Sequence, residues 1–281
     1  MVALLFPYLD NPFYAIALEK MCAALQASGY HALVFHEPDT TRENRTVAEL
    51  LDYRVDGIIT MSVELGSHIT EECRAYGVPI VMFNRVKATP HLSSVTTDNV
   101  AGGRLAAEHL MSLRRERIAI LAGWEGASTN RDREFGFSAE LAFRGRNLFA
   151  RAVGHFDLER TAEAVRDLFG PASVSDRPDA LFVVNDYMAF RALSVLRSEL
   201  GLRVPQNVAV MGFDDLPLSI APEYDLTSIR QPIDQMVNHA IRILMAQIDK
   251  GKPEHVSLAP QLSVRGSTRG ESAGLELHGV R

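Results

Sequence analysis

The sequence predicts an α/β protein made of two successive halves, each with a parallel sheet. Short apolar runs alternate with longer amphipathic segments along the 281 residues. The rhythm breaks near residues 114–117 and then repeats. The length corresponds to roughly two domains of about 150 residues each. Because strands that alternate with helices form βαβ units, the strands of each half are expected to run parallel.

The predicted strands are short runs rich in Val, Ile, Leu and Phe, a composition typical of strands buried on both faces. In chain order they are residues 2–6, 31–35, 57–61, 79–83, 117–122, 151–153, 180–184, 208–213 and 258–264.

The predicted helices are longer segments with an apolar stripe of helical period. In chain order they are residues 14–28, 41–53, 69–76, 100–113, 130–143, 159–169, 188–200 and 232–249. Gly29, Gly77 and Gly201 follow three of them and are expected to end them, because glycine accepts the left-handed backbone of a helix C-terminus. Pro232 stands in the first turn of the last helix, where its missing N–H costs nothing. Residues 271–281 show no period and are expected to be a frayed end.

The last helix and strand follow after the second half is complete. One economical arrangement returns that helix to the first half and the strand to the second, with a cleft between two lobes and three crossings. The predicted first lobe is residues 1–115 plus 231–257, the second is residues 116–230 plus 258–268, and residues 269–281 form a tail. Periodicity permits this arrangement without proving it.

Composition and charge exclude several classes of protein. Hydrophobic residues make up 47% of the chain and charged residues 23%, which argues against disorder. The net charge of −6 argues against binding nucleic acid or anionic membrane by bulk charge. Two cysteines, Cys22 and Cys73, are too few for a disulfide framework and are expected to be structural thiols. Because no signal peptide and no apolar run of membrane-spanning length occurs, we expect a cytoplasmic protein without a membrane partner.

Sequence motifs for cofactors and catalysis are missing. No G-x-G-x-x-G follows a strand, and neither a phosphate-binding P-loop nor a G-x-S-x-G elbow occurs. The nine histidines are scattered, without the spacing of metal ligands. The sequence therefore predicts no cofactor and no metal, and nothing in it indicates an enzyme.

Polar and aromatic residues cluster where the predicted strands end, the edge at which open α/β sheets bind ligands. The segments are Asn11-Pro12-Phe13-Tyr14, Phe83-Asn84-Arg85, Ser128-Thr129-Asn130-Arg131-Asp132-Arg133-Glu134-Phe135-Gly136-Phe137, Val184-Asn185-Asp186, Met211-Gly212-Phe213-Asp214-Asp215 and Thr227-Ser228-Ile229-Arg230-Gln231-Pro232.

In their order and spacing these segments resemble the effector-binding domain of LacI-type transcriptional regulators, which is similar to periplasmic sugar-binding proteins. Thr97-Asp98-Asn99, Gly102-Gly103, Glu108-His109-Leu110 and the closing Leu262-Ser263-Val264-Arg265-Gly266-Ser267-Thr268 add to the resemblance, which covers residues 2–268. It implies two Rossmann-like lobes joined by three crossover segments, the type I periplasmic-binding-protein fold, with a ligand at the hinge.

Carried over motif by motif, the resemblance implies ligand contacts from both lobes. They are Asn11, Phe13, Tyr14, Asn84, Arg85, Thr129, Arg133, Phe182, Asn185, Asp214 and Gln231. A sugar or similar polyol suits this set, since amide, carboxylate and guanidinium groups address neighbouring hydroxyls and aromatic faces cover the C–H surface of a ring. Arg133→Ala is expected to abolish effector binding and to leave the fold intact.

Structural alternatives stay open at several of these positions. Phe13 and Tyr14 could be core residues at a helix start. Arg133 could pair with Asp132 or Glu134 on a solvated helix face.

Two amide side chains and one carboxylate also have alternatives. Asn185 could cap the helix that follows it, although Asp186 is the favoured cap. Asn84 could be a turn residue, and Asp215 competes with Asp214 for the contact.

The resemblance implies the effector-sensing and dimerisation core of a transcriptional repressor, working as a homodimer. Relatives begin with a helix-turn-helix and a hinge helix, whereas this chain begins at the first strand and shows no recognition-helix pattern. Operator DNA is therefore expected as a partner only through an N-terminal helix-turn-helix that these residues lack. The alternative is the sugar-binding protein of an ABC importer, against which the lack of a signal peptide argues.

Overall fold

A computed structural model describes residues 1–6, 9–36, 50, 52–61, 67–86, 91–170 and 173–269. The chain divides into two compact units, the first being Met1–Asp98 with Pro232–Ala259 and the second Asn99–Gln231 with Pro260–Arg281. The backbone therefore passes from one unit to the other three times. Each unit carries its own six-stranded sheet, which confirms the predicted α/β class with two parallel-dominated sheets.

Twelve strands and seven α-helices are numbered here along the described chain. The strands are β1 (Val2–Phe6), β2 (Ala32–His36), β3 (Gly57–Met61), β4 (Ile80–Phe83), β5 (Ser93–Thr97), β6 (Ile118–Ala122), β7 (Ala150–Val153), β8 (Ala180–Val183), β9 (Ala209–Asp214), β10 (Thr227–Arg230), β11 (His255–Leu258) and β12 (Gln261–Ser263). The helices are α1 (Pro12–Ala27), α2 (Ser67–Ala75), α3 (Asn99–Ser112), α4 (Ser128–Phe143), α5 (Leu158–Phe169), α6 (Asp186–Ser194) and α7 (Ile233–Ile248).

The sheet of the first unit has the order β11-β5-β4-β3-β1-β2, and every neighbouring pair is parallel. Every residue of the central strands β1, β3 and β4 is buried, as their continuous apolar sequence predicts for strands covered on both faces. Helix α7 packs against β3, β4 and β5 of this sheet.

The sheet of the second unit has the order β12-β10-β9-β8-β6-β7. All pairs are parallel except β10 with β12, which is antiparallel. The six residues of β9 are all buried, and this strand carries Asp214 at its carboxyl end. Both sheets thus bring the segments that follow their strands to one edge.

Helix α3 belongs to the second unit because its backbone approaches α4 closely. A Cβ atom on Gly103 would lie 2.1 Å from the carbonyl oxygen of Arg133, and one on Gly136 would lie 2.1 Å from that of Val100. Only glycine permits two helices to meet at this distance. The predicted first lobe extends to residue 115, whereas the two units divide between Asp98 and Asn99.

Several elements differ from the sequence predictions. Strands β5 and β10 and nearly all of β11 were not predicted, and the predicted strand 258–264 contains β12 of the second sheet and meets β11 of the first sheet only at Leu258. Predicted helix 188–200 begins earlier, as α6, and continues as a π-helical turn over Val195–Glu199. Most of predicted helix 41–53 and residues 271–281 lie outside the described residues.

The predicted helix ends are found at Gly29, Gly77 and Gly201, which have φ angles of +81°, +72° and +63°. These left-handed conformations stop the helical hydrogen-bond ladder with little strain. Within the described part of the chain, no helix combines the length and the apolar character needed to cross a bilayer.

Candidate functional site

The predicted ligand residues fall into two groups, one in each unit. The first-unit group is Asn11, Phe13, Tyr14, Asn84 and Arg85, and the second-unit group is Thr129, Arg133, Phe182, Asn185, Asp214 and Gln231. Each group lies at or beyond the carboxyl ends of strands or in the first two turns of the following helix, apart from Phe182 within β8.

Asn11 joins β1 to α1 and caps the helix. Its side-chain oxygen accepts a hydrogen bond from the backbone N–H of Phe13 at 3.0 Å, and Pro12 follows at the first helical position. Asn11 is buried, and the cap uses its oxygen, so its amide N–H groups are the donors left for other partners. The helix therefore starts two residues earlier than predicted and presents this amide at the sheet edge.

Phe13, Tyr14 and Phe83 of β4 form an aromatic cluster. The rings of Phe13 and Tyr14 meet edge to face, with centroids 5.4 Å apart, and Phe13 lies 6.4 Å from Phe83. Phe13 and Tyr14 are both buried, as the core alternative requires. The packing gives the first-unit group a rigid apolar wall.

Asn84 and Arg85 follow β4 and are both buried. Asn84 has a left-handed backbone with φ of 62°, and its N–H donates to the carbonyl oxygen of Val95 at 2.9 Å. Its side-chain oxygen is buried and accepts no hydrogen bond from the described residues. A buried acceptor without a donor costs about 1–3 kcal/mol, so this oxygen is suited to receive a donor from a bound molecule.

Arg133 is the centre of the second-unit group. It is buried on α4, where Nε donates to Asn99 Oδ1 at 2.8 Å and Nη1 donates to the carbonyl oxygen of Val184 at 2.7 Å. Its guanidinium carbon lies 3.6 Å from the ring centroid of Phe213. The alternative of an ion pair with Glu134 on a solvated face is wrong, because Glu134 pairs with Arg151 and Arg133 points into the unit.

Asp214 lies at the end of β9, with a φ of 120°. Its Oδ1 accepts a hydrogen bond from Nε2 of Gln231 at 2.7 Å and lies 3.6 Å from Nη1 of Arg133. Burial raises the pKa of Asp214, and the guanidinium of Arg133 and the amide of Gln231 oppose that rise. Gln231 is the last residue before the chain leaves the second unit, so the crossover residue is bound to this carboxylate.

Asn185 is the N-cap of α6, with its side-chain oxygen accepting from the N–H of Met188 at 3.0 Å. The preference for Asp186 as the cap is wrong. Asp186 is fully buried and accepts three hydrogen bonds, from the N–H of Leu216 and the hydroxyls of Ser219 and Ser228. These partners come from distant parts of the chain, so the carboxylate faces the interior of the unit.

Thr129 and Phe182 have different surroundings. Thr129 is buried in the first turn of α4, beside the strand ends. Phe182 is fully buried within β8, and its ring packs on Phe137 with centroids 4.8 Å apart. The structure therefore places Phe182 in the core of the second unit.

Asn99, Asp186 and Asp215 appear in the predicted motifs, but their contacts as supports of the second-unit group were not predicted. Asp215 accepts hydrogen bonds from Arg230 Nε at 2.6 Å and from Ser263 Oγ at 2.8 Å. The partners of Asp186 and Asp215 are between 13 and 48 residues away in the chain, and no local spacing signals such contacts. Asn99 closes the quoted Thr97-Asp98-Asn99 segment, and that segment was the available signal.

No set of three His, Cys, Asp or Glu side chains is arranged to hold a metal ion in the part of the chain that the structure describes. The donor set of both groups is instead made of amides, guanidinium groups and one carboxylate, alongside aromatic rings. Such a set binds neutral polar molecules with several hydroxyl groups through directed hydrogen bonds.

Two units with open parallel sheets and polar strand ends define a ligand-binding α/β protein. The chain belongs to the periplasmic-binding-protein-like family of LacI-type regulators: the model of the "Periplasmic binding protein-like domain" matches residues 107–268, more than half of the chain. This agrees with the resemblance seen in the sequence.

The curated relatives are transcriptional regulators. The chain is 31% identical over 291 residues to the HTH-type transcriptional regulator MalR of Streptomyces coelicolor, covering 95% of this chain and 80% of the relative. It is 29% identical over 272 residues to the ribose operon repressor of Escherichia coli K12, covering 95% and 81%.

A solved structure of a regulator–sugar complex has the same fold. The transcriptional regulator CelR–cellobiose complex superposes with a TM-score of 0.85 at 29% identity, covering 95% of this chain and 84% of that one.

Proposed function

We propose that this chain is the effector-sensing and dimerisation core of a LacI-type transcriptional repressor, and that its effector is a sugar or a similar polyol. The observation that carries the proposal is the buried set of Arg133, Asp214 and Gln231 at the strand ends of the second unit. In a family of regulators, a prearranged set of this kind serves recognition of a small molecule rather than turnover.

The chemistry of the two groups supports a polyol. A sugar hydroxyl both donates and accepts, so it can donate to the unsatisfied oxygen of Asn84 and accept from the amide of Asn11. The aromatic wall of Phe13 and Tyr14 covers apolar C–H surface. Hydrogen bonds to the charged groups Arg133 and Asp214 contribute about 1.5–3 kcal/mol each.

The choice of a sugar rests also on what is known of the relatives. One relative is a ribose operon repressor, and one structural neighbour is a complex with cellobiose. A role in import or in catalysis has no comparable support, since these relatives are regulators. We propose a cytoplasmic setting for the same reason.

The proposed mechanism follows from differential affinity. An effector that binds one conformation of the chain more tightly than another shifts the population toward that conformation. In a homodimer with two-fold symmetry this change alters the spacing of the attached DNA-binding heads, and thereby operator affinity.

A thermal-shift screen tests the proposal. The panel contains ribose, cellobiose, other pentoses and hexoses, sugar phosphates and nucleosides, each at several concentrations. A bound sugar is expected to raise the unfolding temperature in a saturable way, because it binds only the folded state. Arg133→Lys should weaken the shift, since lysine cannot reproduce the fork of donors. The exposed Arg131→Lys, two residues away, is the matched control. A panel without any saturable shift contradicts the proposal.

A further inference from the structure

The turn after β9 is backbone-strained at the residue that the proposed function needs. Asp214 has a φ of 120° and Asp215 a φ of 56°, in the region that residues with a Cβ atom rarely adopt. Such conformations persist only where surrounding contacts hold them. The question is which side chain holds the turn and thereby fixes the carboxylate of Asp214.

The buried carboxylate of Asp186 accepts three hydrogen bonds from residues in and around the turn. Its Oδ2 accepts from the backbone N–H of Leu216 at 2.9 Å and from Ser219 Oγ at 2.7 Å. Its Oδ1 accepts from Ser228 Oγ at 2.6 Å, and Ser228 Oγ in turn accepts from the backbone N–H of Asp215 at 3.1 Å. The two backbone N–H groups that follow Asp214 are therefore held by Asp186, one directly and one through a hydroxyl.

Gly212 makes room for this carboxylate. A Cβ atom at position 212 would lie 2.1 Å from Oδ1 of Asp186. Any residue other than glycine at this position would therefore displace the carboxylate. The neighbouring carboxylate of Asp186, and not the backbone of β9, therefore requires glycine at position 212.

We propose that Asp186 is the positioning residue for Asp214: it fixes the strained turn before any ligand arrives, so that the carboxylate of Asp214 is presented in one geometry. The inference rests on the proposed function, in which Asp214 contacts the effector. Burial raises the pKa of Asp186, the nearby charge of Asp214 on β9 adds to the rise, and the three donated hydrogen bonds oppose it. A buried acid costs stability unless its hydrogen bonds offset the burial, and at Asp186 those hydrogen bonds hold the turn.

A rival explanation is that Asp215 holds the turn from the other side. Its carboxylate accepts from Arg230 and Ser263 and lies 2.6 Å from Nη2 of Arg265. The two explanations differ in which substitution releases the backbone N–H of Leu216, because only Asp186 accepts it.

Hydrogen exchange of the unliganded protein tests the proposal. Asp186→Ala should reduce protection of the Leu216 amide by ~10-fold, the loss expected when one buried hydrogen bond is removed. Asp186→Asn should restore most of the protection, because its amide oxygen can accept from Leu216 and Ser219 while its NH2 group donates to Ser228. Asp215→Asn should leave the Leu216 amide protected.

Asp179→Ala is the matched control for a general loss of stability. Asp179 accepts two backbone N–H bonds in the same unit, from Arg117 at 2.9 Å and Glu116 at 3.2 Å. If Asp179→Ala lowers the protection of the Leu216 amide as much as Asp186→Ala does, the effect is global and the proposal is overturned. Unchanged protection in Asp186→Ala overturns it as well.

The side-chain amide signal of Gln231 in a nitrogen–proton NMR spectrum reports the position of Asp214, to which it donates. It should shift in Asp186→Ala and in Gly212→Ala, which keeps the carboxylate but displaces it, and should stay unchanged in Asp179→Ala. An unmoved Gln231 signal in Asp186→Ala contradicts the positioning role. Amide exchange of Leu216 and the Gln231 signal are both measured without ligand, so a negative result there does not contradict the proposed effector binding. Conversely, a sugar panel without binding does not contradict the positioning role of Asp186.

Discussion

The first-unit group and the second-unit group both lie near the carboxyl ends of strands in a six-stranded sheet. They differ in whether their buried polar atoms have hydrogen-bond partners. In the second unit, Arg133 and Asp214 are held by hydrogen bonds to Asn99, Val184 and Gln231 of the chain itself. In the first unit, the buried oxygen of Asn84 accepts nothing from the described residues. The second-unit group is therefore prearranged, whereas we propose that the first-unit group gains a partner when the effector binds. A preformed half reduces the ordering that binding would otherwise require.

Arg133→Ala should have the largest effect on stability, because it leaves the buried carboxylate of Asp214 without its cation. Breaking a buried ion pair costs about 3–5 kcal/mol, and we expect the free energy of unfolding in urea to fall by that amount. This revises the expectation from sequence that the fold would be unaffected. Arg131→Ala, on the exposed side of the same helix, should change it by less than about 0.5 kcal/mol. Equal effects of the two substitutions would contradict a prearranged group.

Gly103→Ala tests the helix contact that places Arg133. The added methyl would lie 2.1 Å from the carbonyl oxygen of Arg133, so α3 and α4 must separate. We expect a loss of roughly 1–3 kcal/mol in unfolding free energy, as for other overpacked contacts. Arg104→Ala, the neighbouring exposed position, is the control and should be near neutral. A tolerated Gly103→Ala would show that the close approach is unnecessary.

Asn84→Gly should behave in the opposite way in the first unit. It relieves the left-handed backbone at φ of 62° and removes a buried oxygen that accepts from none of the described residues. Arg54→Gly, at an exposed position with φ of 52°, is the control for the backbone relief alone. Measured by chemical denaturation, Asn84→Gly should be more favourable than Arg54→Gly by about 1–3 kcal/mol. A less favourable result would mean that the side chain of Asn84 already has its partner.

The smallest expected effect is on pH dependence. The pKa of Asp186 is raised above its ordinary value of 3.8 by burial, so the folded state binds more protons than the unfolded state as pH rises above that value. The contribution of this group to stability is therefore full below pH 3.8 and is lost progressively as pH rises through the raised pKa. Unfolding free energy measured from pH 5 upward should fall more steeply for the natural chain than for Asp186→Asn. Parallel curves would contradict the raised pKa.

The fold was predictable where apolar periodicity carries the information. The central strands are continuous apolar runs and were found, but β5 reads Ser-Ser-Val-Thr-Thr and is nonetheless fully buried. Its polar side chains concealed a buried strand, since Ser and Thr satisfy their hydroxyls with partners far away in the chain, such as Ser93 with Gln247. The neighbouring strands β11 and β12 belong to two different sheets, which local sequence cannot specify.

For the candidate site, motif order predicted the buried set around Arg133 and Asp214 but not its supports. Asn185 and Asp186 are adjacent, and local propensity suits either for a helix cap. Which one turns inward depends on Ser219 and Ser228, which are 33 and 42 residues further along the chain. Phe182 was expected to line the pocket, and the structure packs it on Phe137 because β8 is central in the sheet.

The central claim is that the effector donates a hydrogen bond to the Asn84 oxygen, which accepts from none of the described residues. Its most direct test is calorimetric titration of the natural chain and of Asn84→Gly. The titrant is the sugar that gives the largest thermal shift in the panel. We expect saturable binding to the natural chain and an affinity at least ~10-fold weaker in the variant, the loss of one hydrogen bond, although the variant is no less stable. Unchanged affinity in Asn84→Gly, or no heat of binding with any sugar of the panel, would contradict the account.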